Sequence, residues 1–290
     1  MDGLQGRPVN EIAEAFIAAC RDEIEAPKPG NVHVFADGHG MTAADFLLSA
    51  EAAAPALCTP SAPVGVRILA AVESTFAAVG MNTNLGIILL CAPLAAAAET
   101  GEELHGAVRK ILAGLTLADA TSAFRAILRA SPAGLGTTSR HDVHKDPHVT
   151  FLEAMREAAG RDRIAFQYAS DFMDIFQTGL SALENARRRG WTAPWPVVSI
   201  YLTFLASFPD SHIARKFGLD AAARVQNEAR DVQERYINAA NPEQAFRDLL
   251  SFDRHLKVSG FNPGTSADLT VATVFADRIT RILIKRRNFG

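Results

Sequence analysis

The sequence predicts an all-α fold, a single compact multi-helix domain over residues 1–290 with little or no sheet. Three observations predict it. Apolar residues recur at three- and four-residue spacing along most of the chain. Strands and helices do not alternate, and neither a GxGxxG nor a P-loop spacing occurs. Ala and Leu dominate the apolar residues.

The elements follow in order. Val9, Ile12, Ala13, Phe16, Ile17, Cys20 and Ile24 mark one buried face of a first helix, which Pro27 and Pro29 stop. Residues 32–35 alternate and read as a short extended piece. Thr42 with Asp45 three positions on resembles a capping box and opens a helix through Ala56. Pro60 and Pro63 mark the next turn. Helices are expected near 65–79, 86–99, 102–113 and 117–130, then a long polar loop over 131–148. They resume near 149–159, 161–189, 195–207, 219–239, 242–256 and 266–286. Val197 to Phe204 is β-prone by composition, but its length and helical neighbours favour a buried helix.

Composition excludes some functions. A formal net charge of −3 leaves no basic footprint for nucleic acid and no polybasic face for a membrane. The longest apolar run, Ile87 to Ala98, is about half of what a bilayer span needs. Met1 to Gln5 carries no signal-peptide pattern. Cys20, Cys58 and Cys91 sit in apolar surroundings without paired spacing, as small core residues of a cytoplasmic protein would.

Candidate chemistry concentrates where Gly meets small polar residues at helix ends: Pro27-Lys28-Pro29-Gly30-Asn31, Asn82-Thr83-Asn84-Leu85-Gly86, and Asn262 to Asp268 around Gly264. Such junctions permit close ligand approach and present free N–H groups to anions, which points to a phosphate-bearing substrate. Lys28, stiffened by flanking prolines, suits a phosphate; an exposed lysine in a turn is the plainer alternative. His33, Asp37 and His39 lie within reach of it. Asn82, Thr83 and Asn84 suit ribose, base or phosphate, although one of them would serve as an N-cap in any case. Asp210-Ser211-His212 with Arg215 and Lys216 can hold a metal–phosphate unit or simply cap a helix. Asp268, three residues after Thr265, reads both as a cap and as a metal-binding carboxylate. Glu51 and Glu73 are lone acids on apolar helices and would need partners if buried. His141, His144 and His148 have helical metal spacing, but Pro147 makes this a loop, where that spacing carries no geometry.

Together these stretches resemble the triphosphoribosyl-dephospho-CoA synthase family. The resemblance rests on Glu25 to Val32, His39-Gly40-Met41 to Phe46, Asn82 to Gly86, Phe208 to His212 with Arg215, and Asn262 to Leu269. Where decarboxylase-associated members read Asn-Thr-His-Lys-Gly, this chain has Asn84 and Leu85. Its wording is similar to that of a divergent archaeal and methylotroph branch. The resemblance implies transfer of the triphosphoribosyl group of ATP to the 2′-hydroxyl of 3′-dephospho-CoA, with release of adenine and with Mg²⁺ on the triphosphate. It implies phosphate binding by Lys28 and Arg215, and nucleotide contacts from Gly30, Asn31, Asn82, Thr83, Asn84, Gly86, His212 and Gly264. Asp210 and Asp268 would bind Mg²⁺ or steady the cation, and His39 would move a proton. Two other readings stay open. One is a same-fold enzyme acting on a different phosphorylated substrate in tetrahydromethanopterin-linked one-carbon cofactor metabolism. The other is a non-catalytic nucleotide-binding accessory protein.

Overall fold

A computed structural model describes residues 7–131 and 143–289. Among the described residues the regular structure is helical, with no strand. The first half runs α1 (Arg7–Glu25), α2 (Ala43–Leu57), α3 (Val64–Val79), α4 (Leu85–Ala98), α5 (Leu104–Ala113), α6 (Leu117–Ala130) and α7 (Phe151–Ala158). The second runs α8 (Arg163–Ala169), a π turn (Asp174–Gly179), α9 (Leu180–Arg188), α10 (Trp195–Ser207), α11 (Ser211–Phe217), α12 (Leu219–Asn238), a 3₁₀ turn (Pro242–Ala245), α13 (Phe246–Val258) and α14 (Gly264–Phe289).

The centre is built from elements that are apolar all round. Every residue of α4 is buried, and α10 is buried over most of its length. A helix without a polar face must be wrapped by others. α14 supplies the second wall: it packs against α1, α4, α10 and the π turn. The amphipathic helices close round them, α1 through Ile12, Phe16, Ala19, Cys20 and Ile24. All three cysteines are free and buried. No single helix among the described residues is long and apolar enough to cross a membrane.

Most boundaries agree with the periodicity. α1 stops two residues before Pro27, the capping box of Thr42 and Asp45 forms, and the β-prone run is helical in α10. The same device starts α6 through Thr116 and Asp119 and α7 through Thr150 and Glu153. Residues 32–35 do not extend into a strand; two isolated bridges, His33–Ala36 and Gly38–Met41, fold this stretch into tight turns.

The expected helix over 161–189 is broken. Asp171 and Phe172 take left-handed backbone (φ 55° and 62°), and a π turn follows. The break has polar and steric causes. Gln167 donates to Asp174 Oδ2 at 2.5 Å and accepts from Asp174 N at 3.2 Å, while Arg163 pairs with the same carboxylate. At Gly179 a Cβ would overlap Thr273 Oγ1, so the π turn lays its backbone directly on α14. The helix 211–217 was not expected; it is a short element set by its cap. Glu51 and Glu73 are exposed and need no partner.

Candidate functional site

Four chain segments meet where the N-termini of α4, α11 and α14 and the loop after α1 converge. The Pro27–Asn31 loop is tied down first. Gly30 sits at φ +82°, where a Cβ would stand 2.8 Å from both Leu256 Cδ1 and Pro263 Cδ. Its N–H donates to Asp253 Oδ1 at 2.9 Å, and Tyr201 Oη donates to Pro29 O at 2.6 Å. His39 Nε2 donates to Gly30 O at 2.9 Å. Asn31 Nδ2 donates to Asn262 Oδ1 at 2.8 Å, which joins this loop to the start of α14.

Asp210 joins α11 to α14. Its Oδ1 accepts from His212 N at 2.9 Å and Ile213 N at 3.3 Å. Its Oδ2 accepts from Ser266 N and Oγ, both at 2.8 Å. Four donors on two oxygens make it a double N-cap. Before α4, Asn82 does the capping, accepting from Leu85 N at 3.2 Å. Thr83 Oγ1 donates to Ser49 Oγ at 2.6 Å, and the buried Asn84 Nδ2 has no hydrogen-bond partner among the described residues.

These junctions enclose one end of a cavity of about 720 Å³. The polar end presents Glu23, Asn31, Asn82, Thr83, His212, Arg215, Asn262 and Asp268. The rest of the lining is largely apolar, with Leu89, Phe124, Ile127, Phe151, Met155 and Ile164, the last standing against Gly86, and Arg161 also lines the wall. Of the residues singled out in sequence, Asn31, Asn82, Thr83, Gly86, His212, Arg215, Gly264 and Asp268 line this space. Lys28, Gly30, His39, Asn84 and Asp210 are not part of its lining. His141 falls outside the described residues, and His144 and His148 are exposed and away from the lining.

Two glycines make the polar end possible. A Cβ at Gly86 would overlap Asp268 Oδ2, so α4 passes against that carboxylate only because it carries Gly there. A Cβ at Gly264 would stand 2.9 Å from His212 Nδ1. Asp268 itself is the unusual group. It is half-buried and reaches the cavity, and no hydrogen bond from the described residues holds it. The expected cap is not made: Thr265 accepts from His212 N instead, at 3.2 Å. Burial, then the neighbouring charges of Asp210 and Glu23, push the Asp268 carboxyl well above its ordinary range.

Lys28 is fully buried. Its Nζ donates to Glu23 Oε1, to Asn31 Oδ1 at 3.1 Å and to Val32 O at 2.8 Å. All three N–H groups are used, so none points at a ligand. Arg215 pairs with Asp162, and its buried Nε has no partner among the described residues. Burial pushes the His212 imidazole below its usual value, so the ring is neutral near pH 7. Sequence reasoning missed Glu23, and it missed the apolar wall from α6 and α7. The signal for Glu23 was an acid three residues after Cys20 on the buried face of α1.

No group of three or more His, Cys, Asp or Glu among the described residues is placed to hold a metal by itself. Neither a search of curated proteins nor one of solved structures finds a match. The family model for CitG, ATP:dephospho-CoA triphosphoribosyl transferase, matches residues 9–287. Those residues include every wall of the cavity and all four junction segments, so the chain belongs to the ATP:dephospho-CoA triphosphoribosyl transferase family and is a transferase that uses ATP.

Proposed function

We propose that the cavity is where the triphosphoribosyl group of ATP passes to the 2′-hydroxyl of 3′-dephospho-CoA. The observation that carries this is Asp268, a carboxylate without a hydrogen-bond partner among the described residues, in a cavity large enough for a nucleotide. An unbonded carboxylate among other carboxylates costs stability and persists where a bound cation or developing positive charge compensates it.

Each wall has a part. The apolar lining round Phe124 and Ile127 takes the adenine, whose flat face needs apolar contact. Asn31, Asn82 and Thr83 hydrogen-bond ribose hydroxyls. Arg161 and Arg215 meet the phosphates, since Lys28 has no donor left. Lys28 and Asp210 act from behind, holding the α1 loop and the starts of α11 and α14.

The family substrate implies Mg²⁺, and the donors fit. Mg²⁺ is commonly held by one or two carboxylates together with substrate phosphates. Asp268 offers such an oxygen, whereas Asp210 has both of its oxygens occupied by donors. When bound, the ion neutralises charge on the triphosphate. The same arrangement lets this end of the cavity face a ribosyl C1′ that gains positive charge as adenine leaves.

Calorimetric titration with ATP in the presence of Mg²⁺ tests the reading. Asp268→Asn is expected to weaken binding about tenfold or more while the protein stays folded. Equal affinities in wild type and variant would remove Asp268 from the site.

A further inference from the structure

Glu23 has no role in the reading above, and its surroundings call for one. It occupies a position on α1 where the helical period asks for an apolar side chain. It is 3% exposed, and it lines the cavity. One oxygen, Oε1, accepts from Lys28; the other, Oε2, accepts no hydrogen bond from the described residues. Lys28 gives its remaining two N–H groups to Asn31 Oδ1 and Val32 O, a three-acceptor shell that suits an ammonium. The carboxylate is thus held from behind by a fully buried cation, with one oxygen left for whatever enters the cavity.

We propose that Glu23 is the general base that takes the proton of the acceptor hydroxyl, and that Lys28 is its positioning residue. This inference rests on the transfer reading above. In the step, the C1′–N9 bond of ATP breaks and its electron pair leaves with adenine. The acceptor oxygen forms the new C1′–O bond, and its proton passes to Glu23 Oε2. The departing adenine takes a proton from water, and Glu23 later returns its own to water.

The other acid–base groups of the cavity are less suited. Asp162 gives one oxygen to Arg215 and the other to the N-terminus of α8. Glu157 lies on the exposed rim. Asp268 faces other carboxylates and is matched to a cation. His212 is the remaining rival, a neutral ring lining the same end. Burial pushes the Glu23 carboxyl up from its ordinary value against the opposing pull of Lys28, the direction that suits a base working near neutral pH.

The test measures adenine release from ATP with dephospho-CoA, affinities for both substrates by calorimetry, and melting temperature. The proteins are wild type, Glu23→Gln, the double variant Glu23→Gln/Lys28→Gln, and His212→Gln. Glu23→Gln is expected to lower kcat about 100-fold or more, with both affinities within about threefold of wild type. The double variant leaves no unpaired buried charge; it is expected to melt near wild type and to stay as slow as the single. Activity restored in the double variant along with stability would mark the pair as structural and overturn the proposal. So would a kcat in Glu23→Gln above about a tenth of wild type, or a loss seen only in His212→Gln. Wild-type protein that releases no adenine defeats the transfer reading itself, and the proposal with it.

Discussion

At the scale of single residues, the site depends on how closely α4 approaches Asp268. Gly86→Ala places a methyl group on Asp268 Oδ2. We expect it to lower the melting temperature, by an amount matching about 1–3 kcal/mol of overpacking, and to abolish transfer. Thermal melting and adenine release check both. Asp268→Asn should act in the opposite sense on stability. Without nucleotide or metal, it removes an unbonded carboxylate from beside two others, so the melting temperature is expected to rise by about 2–4 °C for each kcal/mol gained while transfer is lost. Sequence marked Gly86 and Asp268 as site residues but could not pair them, because 182 positions separate them and only the packing of α14 on α4 brings them together. It also marked Lys28 as a phosphate ligand. The structure spends that ammonium on Glu23, Asn31 and Val32, and a buried pair cannot be read from a turn motif.

At the scale of elements, the loop after α1 is held by a clamp on α13. Asp253 accepts from Gly30 N at 2.9 Å and pairs with Lys257, with His33 Nε2 at 3.3 Å. Burial alone would raise the Asp253 carboxyl, but His33 beside it and the bonds from Lys257 and Gly30 outweigh it and hold the group below its usual range. A depressed carboxyl contributes stability that is present above the unfolded value of about 3.9 and is lost as pH falls through the folded value. Asp253→Asn is therefore expected to destabilise the protein by about 1–3 kcal/mol at neutral pH. The gap to wild type should narrow on acidification below about pH 4, in melting curves recorded across pH. Helix existence was legible from periodicity except for the short α11, and capping chemistry fixed the start of α2. The break between α8 and α9 was not legible. It depends on Gln167 and Arg163 meeting Asp174 and on Gly179 meeting Thr273, contacts that periodicity does not encode.

At the scale of the whole molecule, the buried helices α4 and α10 and the long α14 form the centre, and the N-terminal ends of α4, α11 and α14 open on one cavity. That arrangement places loops far apart in sequence round a single nucleotide-sized space, with a polar end and an apolar end. The most direct test is a structure of the protein with ATP, Mg²⁺ and dephospho-CoA. The account predicts adenine against Phe124 and Ile127, the triphosphate near Arg161 and Arg215 with the metal on Asp268, and the acceptor hydroxyl within hydrogen-bond reach of Glu23. A nucleotide bound outside this cavity, or a triphosphate remote from Asp268, would contradict it.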